Sequence, residues 1–443
     1  MFLKLAISCL VALLALPAMA RTRPHYGGTL RVATTGDPLE RPGGVARRLI
    51  FDGMTETAAD ETLRPALAVA WWSENADHRW QFRLRPGVQF HDGSPLTSVA
   101  VASSLMASCA LNCPWGSVRA AGASVVFTAD VPIPNLPAIL AADEFLIANL
   151  PASGTDGGTG PFQITGQANG VLSLAANESC WAGRPFVDAV EIRAHRSIND
   201  QWLDLSADRA DVVEVPAENI RLAQQQHFAL AVSPPVEILA LELTQSGALA
   251  NPNLRGAIAA VADRSVLANV VFQKQGVPSA ALLPQTVSGF AFLFPPDRGL
   301  NKANELRGGI APPPLSLAAG AGATSQLAAQ RIALDLREAG FKVQLAPAGT
   351  RLADLVLRTF RLPGADAGAD LAEILRQAGQ APPNIGANPD SLYKAERSIL
   401  EQNVIIPLVH LPRAYAFGSR VRDFRLRSDG SPDLASASLE AAP

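Results

Sequence analysis

Beyond residue 20 the chain lacks any run of about 18 consecutive apolar residues, so no membrane-spanning helix is expected in its body. Neither sign of charge dominates. The 37 basic residues face 40 acidic ones with no basic cluster, which argues against a nucleic-acid partner and against binding to an anionic membrane surface. Cysteine is scarce, at four. The six histidines (His25, His78, His91, His195, His227 and His410) are scattered and none stands at ligand spacing from a cysteine, so no metal site is expected. A Gly-x-Ser-x-Gly nucleophile elbow is also missing. Ser94 beside His91-Asp92 lies in a turn with no motif for an oxyanion hole, and His91 reads as a turn residue satisfied by backbone rather than part of a hydrolase. Asn177-Glu178-Ser179 has the form of a glycosylation sequon, a pattern common by chance. No internal repeat is visible.

What is present begins with the leader. Met1 to Lys4 carry a short positive region, Leu5 to Leu16 are almost purely apolar, and Pro17-Ala18-Met19-Ala20 offers small residues at a cleavage site. This predicts a secretory signal peptide over residues 1–20, a mature chain starting at Arg21, and a product that folds outside the cytoplasm. Lipid anchoring at Cys9 is the weaker reading, since most of the apolar run follows that residue. Roughly 420 residues remain, more than one hydrophobic core usually serves, so two lobes are expected. Cys109, Cys113 and Cys180 also remain. In an oxidising compartment Cys109 and Cys113 are the nearest pair for a disulfide, and small buried hydrophobes are the competing reading.

Strand and helix patterns alternate along the whole chain, with turn residues between them, which places it in the α/β class. Thr29–Thr34 reads as an early strand, Val45–Met54 as a helix and Trp80–Leu84 as a half-buried strand before the turn Arg85-Pro86-Gly87. Val88–Phe90 reads as the returning strand. Leu96–Ala107 is helix-compatible with Thr97 as N-cap. Gln167-Ala168-Asn169-Gly170 between Phe162–Thr165 and Val171–Leu174 signals a hairpin, and Val187–Ile192 is a further strand. In the second half Leu254–Val271 is helical in period. Leu315–Leu317, Gln326–Glu338 and Val343–Leu345 form a β-α-β unit ended by Gly340, which implies a parallel sheet. A strand at Asp354–Leu357, helices near Leu371–Gln377 and Ser391–Gln402, and a strand at Ile405–His410 complete the pattern.

Several stretches then carry a specific likeness. Tyr26-Gly27-Gly28-Thr29-Leu30-Arg31-Val32 opens the mature chain. Leu67-Ala68-Val69-Ala70-Trp71-Trp72 is followed by the run from Trp80 through Arg85-Pro86-Gly87-Val88-Gln89-Phe90-His91-Asp92-Gly93 to Ser94-Pro95-Leu96-Thr97. Gly158-Thr159-Gly160-Pro161, Asn251-Pro252-Asn253-Leu254-Arg255, Ala262-Asp263-Arg264 and Ile405-Ile406-Pro407-Leu408 complete the set. In these the sequence resembles the bacterial family 5 extracellular solute-binding proteins, in shortened form. The resemblance implies a two-lobed periplasmic binding protein fold of the peptide-binding type, with a cleft and hinge. It also implies no enzymatic activity, no cofactor, a monomer, a small peptide-like solute as ligand and an ABC permease in the inner membrane as partner. On this pattern residues 21–236 form the first lobe with a shortened extra subdomain, 237–409 the second, and 410–443 return to the first.

The same resemblance draws attention to Thr359–Asp370. After the strand Asp354–Leu357, relatives carry a tryptophan and an Asp-Pro element whose aspartate holds a peptide's amino terminus. No Asp-Pro pair stands here, and the Asn-rich stretch survives only as Pro383–Asn388. Phe360 is the candidate aromatic wall and Asp366 or Asp370 the candidate anchor, against the alternative of a solvated loop leading to a helix N-cap at Asp370. Thr34, Thr35 and Gly36 follow the first strand, where open α/β sheets place ligands. Arg358 and Arg361 are candidates for a ligand carboxylate, or else surface ion pairs. Two other functions stay on the table: a drifted scaffold serving as sensor or interaction protein, and a secreted hydrolase.

Overall fold

The computed structural model describes residues 25–40, 43–58, 62–108, 113–149, 157–350, 352–364, 366–382, 385 and 388–440. The leader, Cys9, Cys109 and most of Pro383–Asn388 lie outside these. Cys113 is disulfide-bonded, and Cys180 is a buried free thiol.

One eleven-stranded sheet runs through both lobes. Its order is Val343–Leu345, Leu315–Ala318, Leu355–Arg361, Ala229–Leu243, Ile405–Phe417, Val212–Val215, Thr29–Ala33, Ala189–Arg193, Val171–Ala176 and Phe162–Ala168, with Val277–Pro278 also paired to Ile405–Phe417. The outer strands are short, but Ala229–Leu243 and Ile405–Phe417 hold 15 and 13 residues and cross from one lobe to the other. Ala229–Val232 pairs with Ala414–Phe417 on the first-lobe side, and Glu237–Glu242 with Ile405–Leu411 on the second. Between these stretches the register slips at Pro235, beside Ser233-Pro234 and opposite Pro412. Proline has no N–H to give the ladder, so consecutive prolines interrupt it. A side chain spans the gap: the Arg413 amide donates to Ser233 Oγ at 3.0 Å. Gly430 packs against the crossing with φ of 72°, where a Cβ would sit 2.7 Å from Val236 Cγ2.

Both faces of the second-lobe sheet are buried. Leu239, Leu241, Leu355 and Leu357 face the long helix Ala323–Glu338, and Ile238, Ala240 and Phe360 face helices Ala367–Gln377 and Pro389–Glu401. In the first lobe Leu30, Val32, Val190, Ile192 and Phe162 make the core, joined from the far end of the chain by Val421, Leu434 and Leu439. A smaller four-stranded sheet, ordered Ala68–Glu74, Arg79–Leu84, Ser124–Thr128, Ser117–Ala121, closes on helix Ser98–Ser108. Its core is aromatic: Phe82 and Trp115 meet Phe127 edge-on at centroid distances of 5.4 and 5.0 Å.

The Asn169-Gly170 hairpin forms with φ of 52° and 74°, and Thr97 Oγ1 caps the next helix by accepting from the Ala100 amide. The parallel β-α-β unit is present. Elsewhere the chain departs from the pattern. The helix expected over Val45–Met54 is only Arg47–Ile50, because Phe51 turns extended and Asp52 bridges to Ile147. Val88–Phe90 reduces to an isolated bridge from Gln89 to Pro95. The expected Leu254–Val271 helix breaks at Ala262, where Asp263 caps a new turn through the Val266 amide. The strand expected to stop at Leu357 continues to Arg361, since Glu237–Leu243 supplies a partner for every residue.

Glu396 lies wholly buried beneath the loop Ser279–Leu283, its Oε1 accepting from the amides of Leu282 and Leu283 at 2.6 and 2.9 Å while Oε2 has no hydrogen-bond partner. Burial pushes its pKa up to about 7, the two amides offsetting only part of that. The protonated form is thus the one that fits the fold, and its stabilisation is complete below pH about 4.5 and fades as pH rises through 7. Thermal unfolding from pH 5 to 8 should therefore show Glu396→Gln gaining on the parent chain as pH rises, by on the order of 2 kcal/mol. Parallel pH profiles would refute this.

Candidate functional site

All three central strands of the first lobe, Thr29–Ala33, Ala189–Arg193 and Val212–Val215, run parallel and end on the same side. In the second lobe Leu315–Ala318, Val343–Leu345 and Leu355–Arg361 are parallel too. The carboxyl ends of the first-lobe strands and of Leu355–Arg361 meet at a cleft of about 800 Å³ between the lobes. That is where open α/β sheets expose loop amides and helix starts instead of continuing strands, and so where they bind ligands.

Thr35, just past the first strand, lines the cleft, its amide and Oγ1 both donating to Glu214 Oε2 at 2.7 Å. Glu214 is itself fixed by its own amide, which donates to Gln201 Oε1. From the other lobe come Thr359 and Arg361 at the end of their strand, and Thr324 from the first turn of helix Ala323–Glu338. Thr324 Oγ1 donates to Glu218 Oε1 of the first lobe, a direct bond across the cleft. At the floor, Glu237 Oε1 takes both arginines, Arg361 at 3.4 Å and Arg413 at 3.5 Å. Arg413 also donates to the hydroxyl of buried Tyr415 at 2.7 Å, and burial pushes the Tyr415 pKa up to about 12. Burial works against the charge on Arg413, but Tyr415, Glu237, Asp429 and Glu214 more than offset it, so its pKa is raised and it stays cationic.

Beside this floor the two lobes touch through charges. Arg361 Nη1 of the second lobe donates to the Gly43 carbonyl of the first at 3.3 Å, beside the first-lobe pair Arg48–Asp429 at 3.8 Å. Arg376, on the second-lobe helix Ala367–Gln377, pairs with Glu373 at 2.9 Å and with Glu144 of the first lobe at 3.3 Å. Arg48, Glu144, Arg361, Glu373 and Asp429 line a chamber of about 40 Å³, while Arg376 lines a neighbouring one of about 300 Å³. Burial first, then the negative charge of Glu373, lifts the Glu144 carboxyl to about pKa 7, with Arg376 opposing.

Of the residues singled out from sequence, Thr35 and Arg361 meet in this cleft. Thr34 is 3 % exposed and its hydroxyl donates to the Gly36 carbonyl at 2.9 Å, so these two hold each other in the loop. Arg358 lies in the adjoining cavity of about 1070 Å³, paired with Glu242 at 3.0 Å and stacked over Phe360. The Phe360 ring is fully buried in the second-lobe core. Asp366, rather than Asp370, is the helix N-cap, accepting from the amides of Gly368 and Ala369. Asp370 is fully buried and accepts from the Gly364 amide at 2.8 Å. Both nitrogens of His91 engage backbone, at Gly160 and Gly158, while Ser94 Oγ donates to Asp92 at 2.6 Å. Glu214, Glu237, Arg413 and Tyr415 went unnoticed in the sequence because each sits inside a strand with no local motif around it.

The family described as bacterial extracellular solute-binding proteins, family 5, matches residues 62–361, well over half the chain. Among curated relatives, YhjP of Bacillus subtilis is 29 % identical over 218 residues, 47 % of this chain and 36 % of YhjP, so the chain spans about a third of that relative's length. Among solved structures, NikA of Staphylococcus aureus in complex with Ni(L-His)2 aligns over 93 % of this chain and 100 % of NikA, with a TM-score of 0.80 at 16 % identity. DppA of Helicobacter pylori, in complex with the peptide STSA, aligns over 94 % and 99 % with a TM-score of 0.79 at 17 % identity. At such identities the likeness establishes the fold, a two-lobed periplasmic binding protein. The match through Trp80–Thr97 and on to Arg361 adds the lineage: the chain belongs to the family 5 bacterial extracellular solute-binding proteins.

Proposed function

We propose that this chain is the capture component of an ABC importer, taking a small peptide-like solute between its lobes and handing it to a permease in the inner membrane. The observation that carries the reading is the cleft itself. The first-lobe strands and Leu355–Arg361 aim their carboxyl ends into one space, and the two long strands that cross between the lobes are interrupted by proline where the lobes meet. A solute that touches Thr35 and Glu214 on one side and Thr359 on the other makes all its contacts only when the lobes are together. Binding therefore shifts the population toward closure, and the closed shape is what a permease recognises. The role needs no catalysis and no cofactor, and a monomer suffices. The leader would direct it to the periplasm. Pro234-Pro235 and Pro412 are the hinge in this account, which sets the lobe boundaries near residues 236 and 410.

One observation favours the second reading, a scaffold turned to sensing. The charged contact of Arg376 with Glu144 and Glu373 joins the lobes, with chambers of about 40 and 300 Å³ on either side of it. Thermal unfolding of the chain from Arg21 with peptides, nickel–histidine and oligosaccharides separates the two. A ligand at about 100 times its Kd adds roughly 2.7 kcal/mol. Capture predicts a raised midpoint with one class, lost in Thr359→Trp, which fills the cleft from an exposed position. A flat response from folded, ligand-stripped protein would move the assignment to the sensor.

Closure should also depend on pH. Glu144 is protonated below about pH 7, which relieves its repulsion with Glu373, so the lobe contact is strongest in acid and weakens as pH rises through 7. Glu144→Gln should flatten the pH dependence of the unfolding midpoint between pH 5 and 8, and an unchanged profile would show that this pair does not govern the contact.

A further inference from the structure

The second lobe carries another pocket, of about 650 Å³, on a face that shares no lining residue with the cleft. At its floor is Arg264, 5 % exposed. Its Nε donates to the Pro407 carbonyl at 2.8 Å, and Nη1 donates to the carbonyls of Ala259 and Ala262 at 3.3 and 3.5 Å. Among the described residues Nη2 has no partner, and it is not among the sealed polar atoms, so it opens to the pocket that Arg264 lines. Among the described residues no carboxylate pairs with this guanidinium. Burial with no compensating charge pushes its pKa down to about 10, and it remains cationic at neutral pH.

A buried cation held only by carbonyl dipoles is an unfinished arrangement. Removing it from water costs several kcal/mol, and a carboxylate is the partner that returns most of that. Much of the lining around it is apolar: Gly256, Ala259 and Ala260 of the helix Pro252–Val261, and the rings of Phe294 and Tyr393 with centroids 5.4 Å apart. At the rim Arg397 is neutralised by Glu401 at 2.7 Å, while exposed Lys302 and Asp297 balance each other in sign. The uncompensated charge is thus at the bottom, below an apolar slot.

We propose that this pocket is a second binding site, for a small organic carboxylate with a flat apolar body, its carboxylate on Arg264 Nη2 and its body between the helix Pro252–Val261 and Tyr393. The site is independent of the capture reading and stands or falls separately from it.

The test is calorimetry and ligand-observed NMR with benzoate, its neutral isostere benzamide and inorganic phosphate, on the chain bearing Thr359→Trp so that the cleft is filled. Saturable benzoate binding is expected, with benzamide weaker by about tenfold or more, because it leaves the buried charge unanswered. Phosphate should not bind, lacking the body that fills the slot. Arg264→Lys should abolish the preference for benzoate over benzamide. Should that variant fail to fold, Lys302→Glu, at an exposed rim position, should weaken benzoate several-fold through long-range charge while leaving benzamide unchanged. Equal binding of benzoate and benzamide, phosphate binding in preference to benzoate, or no saturable benzoate response would each overturn the proposal.

Discussion

The constraint on which the rest depends is the pairing of Ala229–Leu243 with Ile405–Phe417. These two strands sit at the centre of the sheet, and each is part of both lobes' hydrogen-bonded ladders. Their ends are anchored in separate cores, Leu241 and Leu408 in one and Ala414 and Ala416 in the other. The proline-bearing middle slips register on both sides of Pro235, and a further slip stands at Leu239/Ala240. In the proposed hinge, the break at Pro235 is where the two lobes flex. The same pairing fixes the cleft, because Glu237 and Arg413 flank the break and Arg361 is held opposite Glu237 by the neighbouring register.

The electrostatics follow from that placement. Charges brought to a lobe junction lose water, and they remain charged only where partners are supplied. Arg413 finds Glu237 and Tyr415, and Asp429 is held below the usual carboxylate range because Arg48, Ser431 and Arg413 outweigh its burial. At Glu144 burial first, and the neighbouring Glu373 carboxylate second, outweigh Arg376, which is why a proton settles there. The lobe contact combines these charges with apolar packing, Ala369 of the second-lobe helix being buried in one cluster with Ile139 and Phe145 of the first lobe.

Much of the fold was legible because its signals are local. Asn169-Gly170 required positive φ at both positions and received it, and the stretch from Leu315 to Leu345 changed period from strand to helix and back. Where reading failed, a distant partner decided. Arg358, Thr359 and Arg361 look like loop residues, yet Ala229–Leu243 pairs them into a strand, burying Phe360 among Ile374 and Leu392 instead of leaving it on a cleft wall. The cap expected at Asp370 falls instead to Asp366, because the backbone turns at Gly364 and places Asp366 at the helix start and Asp370 inside the lobe. The cleft's floor was the least legible part. Glu214, Glu237 and Arg413 come from three different strands, and nothing near any of them announces a site.

The account's central claim is that solute draws the lobes together about the proline break. It is tested most directly by labelling Gln225→Cys in the first lobe and Leu352→Cys in the second, both exposed, and measuring their separation by double electron–electron resonance. The measurement is made on the chain alone and with casein-hydrolysate peptides, nickel–histidine or oligosaccharide. The account predicts a broad or longer distance in the free protein that shortens and narrows with one of these classes. A separation that stays the same while a solute is demonstrably bound would contradict it.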